Sequence, residues 1–118
     1  VEASNIVLIG FSQGGAMALH VGLRYAQALA GVAALSTYVP LHESLAAQAN
    51  PANAQTPIFW GHGSADPVVP MTLGLMSRDW LRGLGYHVDW HEYPMAHQVC
   101  AEEIADLQAW LSRRFSPN

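Results

Sequence analysis

The segment Gly10-Phe11-Ser12-Gln13-Gly14 constrains this chain more than any other, because of what stands on either side of it. Before it, Asn5 to Gly10 (NIVLIG) sets four branched apolar residues in a row, the pattern of a strand buried on both faces in a parallel sheet. After it, Gln13 to about Tyr25 reads as a helix, with Ala16, Leu19 and Leu23 on one face and Met17 and Val21 beside it. Apolar nearly all round, that helix is expected to be buried. A G-x-S-x-G turn from strand into helix lifts its serine clear of the sheet edge. The turn is tight enough that side chains at the flanking positions would collide, the expected reason for both glycines. The helix that follows aims unpaired N–H groups at the same point, and the backbone N–H of Gln13 is the natural first donor to an oxyanion.

The rest of the chain alternates in the same way. Strands are expected near Val32 to Ser36, Pro57 to His62 and His87 to Tyr93, the last alternating between faces as an edge strand does. Thr72 to Leu84 reads as an amphipathic helix with Leu73, Met76, Trp80 and Leu84 as its apolar stripe and Gly85 as its cap. A final helix, about Ala101 to Phe115, is expected to bury Ile104, Leu107 and Leu111. Glu102 and Glu103 open it and Arg113 and Arg114 close it, both favourable to its dipole. Ala46 to Thr56 is the nearest thing to a linker. The reading is an α/β fold with about four mainly parallel strands and flanking helices.

A serine hydroxyl is a poor nucleophile until a base takes its proton, so a histidine must be found. His20 lies within the first helix and suits a core position, and His42 lies in a loop. His87 and His91 share the solvated face of the edge strand. His62, at a strand end beside two glycines, is placed to hydrogen-bond loops around the site. His97 follows the last strand in a short loop after Pro94, Met95 and Ala96, at the carboxyl edge where α/β folds place their sites. It is the best base. The orienting acid belongs between serine and histidine in the chain. Asp66 follows the third strand; standing ahead of Pro67 it also suits the start of a turn. Asp79 is mid-helix, and Asp89 and Glu92 are in the edge strand, so Asp66 is preferred on position.

Other chemistries find less support. His87 and His91 lack a third ligand for a metal, and Cys100 has no elbow to make it a nucleophile. With a net charge of −4 there is no basic footprint for nucleic acid or an anionic membrane, and no apolar run is long enough to span a bilayer. A single cysteine and no visible signal peptide lead to the expectation of a cytoplasmic protein. Apolar residues make up 51% of the chain and charged ones only 12%, so part of its surface is expected to lie against something else.

Taken together, GFSQGGAMAL, ALSTYVP, HGSADPVVP and YPMAHQV resemble the carboxylesterase/phospholipase family of α/β-hydrolases, which includes small bacterial carboxylesterases and acyl-protein thioesterases. The resemblance runs over essentially the whole chain but matches only the second half of such an enzyme. It implies Ser12 as nucleophile, Asp66 as orienter and His97 as general base, hydrolysing carboxylic or thioester bonds of a small-molecule substrate without a cofactor. The family's first half carries further strands and the loop that gives the second oxyanion N–H. Residues 1–118 are therefore expected to form one partial domain. Its first strand is expected to be a bare edge through which copies associate, and its catalysis to be weak or completed by a second subunit. Two alternatives stand beside this: a prolyl-oligopeptidase-like peptidase, and a truncated, catalytically weak or inactive half-domain that acts through self-association or a partner.

Overall fold

The computed structural model describes residues 1–115; residues 116–118, the end of the domain expected over 1–118, lie outside the described residues. Four strands, β1 (Val7–Phe11), β2 (Gly31–Leu35), β3 (Ile58–Gly63) and β4 (Val88–Tyr93), form one sheet in the order β1-β2-β3-β4. Every pairing is parallel, with Leu8 beside Val32, Ala33 beside Phe59 and Trp60 beside Trp90. Helices α1 (Gln13–Gly22), α2 (His42–Gln48), α3 (Met71–Gly83) and α4 (Ala101–Arg114) complete the fold. Because the strands advance in one direction and crossovers of parallel strands keep one hand, the three connecting helices lie on one face. There Leu19, Leu45 and Leu81 pack on Val32, Ile58 and Trp60. Helix α4 follows the last strand and covers the other face, where Leu107 and Trp110 pack on Ala33, Leu35 and Phe59.

Several expectations are corrected by the packing. The NIVLIG strand is an outer strand of this sheet, the bare edge expected of it, so its composition of a strand buried on both faces is not matched by burial here, and Ile9 is 48% exposed. Helix α1 stops at Gly22 instead of Tyr25, and Met17 and Val21, on the side beyond β1, are exposed. Most of the stripe expected to bury α3 is open: Leu73, Met76 and Leu84 are exposed and only Trp80 packs partly on the core, while Gly74, Ser77 and Leu81 face the sheet. The smallest residues set that choice, since a Cβ on Gly74 would stand 2.7 Å from His62 Nδ1. Gly85 does end the helix, with φ of +95°.

In α4, Leu107 is buried as expected and Leu111 packs partly, but Ile104 is exposed, and Glu103 and Trp110 are the buried neighbours. His91 is not simply solvated: its ring stacks on Phe59 at 4.7 Å and lies beside Asp89 and Asp106. His20 is half-exposed. The segment read as loop and linker holds α2 and a 3-10 turn, Pro51–Asn53. Asn53 is fully buried there, accepting from Leu29 N–H at 2.8 Å and from the Thr56 hydroxyl at 2.7 Å.

Candidate active site

Parallel strands send all their carboxyl ends to one edge, and the loops after β1, β3 and β4 meet there. Ser12 occupies the turn between β1 and α1 with φ of 57° and ψ of −121°, a conformation that non-glycine residues rarely adopt. Its N–H is tied to Leu35 O at 2.8 Å and its carbonyl accepts Ala16 N–H at 3.1 Å, so neighbouring strand and helix hold the turn in place. The glycines around it differ in their reasons. A Cβ on Gly10 would stand 2.1 Å from the carbonyl carbon and oxygen of Gly14, as the collision argument expects. Gly14 has open space within 4 Å, which corrects that argument for the second glycine. Gly15 is the other crowded position, 2.8 Å from Gly10 O and from Thr37 in the loop after β2.

Asp66 lies in the loop after β3, with its side chain buried. Its Oδ1 accepts the backbone N–H groups of Val68 and Val69, each at 2.8 Å. The two oxygens of one carboxylate thus make separate contacts, Oδ1 with the turn and Oδ2 with His97 Nδ1 at 2.8 Å. Burial on its own would push this carboxyl up. The hydrogen bond from His97, those from Val69 and Val68, and attraction to the imidazole outweigh it and hold the group below its usual range. The loops of Asp66 and His97 are also joined through the backbone, Ser64 N–H to Tyr93 O at 2.8 Å and Ala65 N–H to Met95 O at 3.0 Å. That approach needs a bare Cα at Gly63, whose Cβ would stand 2.4 Å from Met95 O and Ala96 O.

His97 Nε2 is 3.0 Å from Ser12 Oγ. The structure therefore brings Ser12, His97 and Asp66 into one hydrogen-bonded line from three separate loops. With Nδ1–H donated to a buried carboxylate, Nε2 is left to accept the serine proton. A hydroxyl so placed can lose its proton as it attacks, and the imidazolium formed is stabilised by the charge behind it. Gln13 opens α1, so its N–H is among those with no partner inside the helix and lies beside Ser12. Phe11 was not singled out from the sequence: its ring lies 4.8 Å from that of His97 and packs against the imidazole. A cavity of about 350 Å³ opens beside the elbow, lined by Gln13, Met17, His20, Tyr38 and Leu41 among others. Among the described residues no group of three or more His, Cys, Asp or Glu is placed to hold a metal ion, and no helix is long and apolar enough to cross a membrane.

Comparison with known proteins agrees with this architecture. An acyl-protein thioesterase 1 of Gibberella zeae is 44% identical over 120 residues, covering 99% of this chain and 51% of that protein. The crystal structure of Arabidopsis thaliana SOBER1 superposes with a TM-score of 0.94 at 32% identity, covering 98% of this chain and 56% of that one. That of Zea mays acyl-protein thioesterase 2 gives 0.85 at 28% identity, covering 93% and 56%. The chain thus spans about half the length of the relatives it matches. The family described as Phospholipase/Carboxylesterase matches residues 1–114, and the chain belongs to it.

Proposed function

We propose that this chain is the catalytic half of a serine hydrolase that cleaves carboxylic esters or thioesters of small acyl substrates. The single observation that carries the reading is the unbroken line from Ser12 Oγ to His97 Nε2 at 3.0 Å and from His97 Nδ1 to Asp66 Oδ2 at 2.8 Å. His97 takes the proton as Ser12 Oγ bonds to the acyl carbon, and the Gln13 N–H stabilises the oxyanion that develops. The intermediate collapses, the alcohol or thiol leaves with the proton from His97, and water repeats the sequence to free the acid. Asp66 keeps His97 in the tautomer that exposes Nε2 to serine. The similarity to acyl-protein thioesterases favours thioester or ester carbonyls over amides. Cys100, a free thiol, suits the reducing cytoplasm as the place of action.

A second reading rests on β1. Among the described residues its outer edge is unpaired, and Ile9, Met17 and Val21 expose an apolar flank beside it. We take that flank as the surface through which copies associate, and as the side from which a second oxyanion donor is supplied. Hydrolysis of a short-chain p-nitrophenyl ester, measured against Ser12→Ala and against a proline amide over a range of protein concentrations, tests both readings. Ester turnover that vanishes in the variant and exceeds amide turnover supports the hydrolase. Specific activity independent of concentration excludes assembly from copies.

A further inference from the structure

His62 is fully buried at the end of β3, and its ring is held at both nitrogens. The indole Nε1–H of Trp60 points at Nδ1 at 3.3 Å, and an indole can only donate, so Nδ1 must be the unprotonated acceptor. The proton then belongs to Nε2, which donates it to the carbonyl of Val69 at 2.8 Å. Val69 also gives its N–H to Asp66 Oδ1 at 2.8 Å. One peptide segment is thus gripped at both ends, its N–H by the carboxylate and its carbonyl by the histidine. The ring lies nearly parallel to that of Trp90 at a centroid distance of 6.0 Å, and α3 closes over it at Gly74. The Asp66 carboxylate is close by, with Oδ2 4.0 Å from Nε2 and turned towards His97.

Resting on the site reading above, we infer that His62 is a positioning residue: a neutral Nε2–H imidazole, locked between Trp60 and Val69, that closes the Asp66 loop and so fixes the carboxylate that orients His97. The bond spans the base of that loop, so its loss frees Val69 and with it one of the two N–H groups that aim the carboxylate. Displacement of about 1 Å in such a support costs on the order of 10–100-fold in rate.

The test uses the whole chain, ¹⁵N-labelled, with two variants, His62→Leu and His62→Gln, whose folding is checked by circular dichroism. Long-range ¹H–¹⁵N spectra of the unmodified protein read the tautomer directly. A protonated Nε2 with bare Nδ1 is expected, and an Nδ1–H tautomer or a mixture overturns the proposal. In His62→Leu, labelling of Ser12 by a fluorophosphonate falls about 10–100-fold, and the downfield resonance of the His97 Nδ1 proton is lost. His62→Gln keeps a donor towards Val69 and recovers both. Wild-type labelling with an unchanged His97 resonance in His62→Leu overturns the role, as does a loss in His62→Gln equal to that in His62→Leu. The tautomer and the His97 proton are read without turnover, so a chain that takes no label and cleaves no ester counts against the proposed function and leaves this inference separately decided.

Discussion

Glu103 offers a prediction whose sign runs against intuition. It lies in the first turn of α4, the place where an acidic side chain usually faces solvent and complements the helix dipole. Here its neighbour Glu102 is exposed, and Glu103 turns onto the sheet with no exposed surface. A Cβ on Gly61 would collide with its carboxyl, so the absence of one gives it room. Neither oxygen has a hydrogen-bond partner among the described residues. Burial raises its pKa from 4.5 to about 7. The folded state therefore holds a proton that the unfolded chain releases earlier. The stability linked to that proton is complete below the unfolded value and is lost as pH rises through the folded one. Between 4.5 and about 7, at about 1.4 kcal/mol per pH unit, the loss amounts to about 3 kcal/mol.

Glu103→Gln keeps the shape of the neutral acid and cannot ionise. The two proteins are expected to lie within about 1 kcal/mol of each other at pH 5, and the variant to be the more stable by about 2–3 kcal/mol at pH 8. Urea unfolding followed by tryptophan fluorescence at several pH values reads the difference. Parallel stability profiles for the two proteins, or a variant less stable at pH 8, would refute the assignment of a neutral buried acid.

Asp66→Asn is expected to lower ester turnover by about 10³–10⁴-fold with the fold retained, because the amide cannot stabilise the imidazolium; steady-state kinetics and circular dichroism check the two halves. The same carboxylate, held below its usual pKa, contributes stability above its unfolded value and loses it as pH falls through the folded one, so unfolding midpoints should drop below about pH 4 and do so less in the variant. Gly10→Ala is expected to cost about 3 kcal/mol or more, since its Cβ meets the Gly14 backbone, while Gly14→Ala stays within about 1 kcal/mol; paired urea titrations of the 118-residue chain compare them. Ile9→Lys places a charge on the outer strand and is expected to convert associated chain to monomer in sedimentation velocity, whereas unchanged association would move the contact elsewhere.

What the sequence made legible was set by order along the chain. Residues at the carboxyl ends of parallel strands must meet at one edge, so Ser12, Asp66 and His97 could be chosen without knowing how any helix packs. Helix faces were less legible. Hydrophobicity favoured Leu73 and Met76 in α3, but close approach to His62 and the sheet selected Gly74 and Ser77, a steric requirement that hydrophobic periodicity does not carry. Helix α2 is seven residues long and begins after Leu41, whose φ of 49° and lack of a capping side chain leave no N-terminal signal. Glu103 and Ile104 were exchanged between core and solvent because a buried carboxyl looks, in sequence, like any other acidic first-turn residue. The exposure of Met17 and Val21 depends on which strand lies beyond β1, and helical periodicity within the chain says nothing of that.

The central claim is that Ser12 is an activated nucleophile, and covalent labelling tests it most directly. The purified chain is treated with a fluorophosphonate, digested and analysed by mass spectrometry, alongside Ser12→Ala and His97→Ala. The account predicts one phosphonylated site, Ser12, with labelling abolished in the first variant and slowed by orders of magnitude in the second. A Ser12 that stays unmodified, or that labels equally fast without His97, would contradict it.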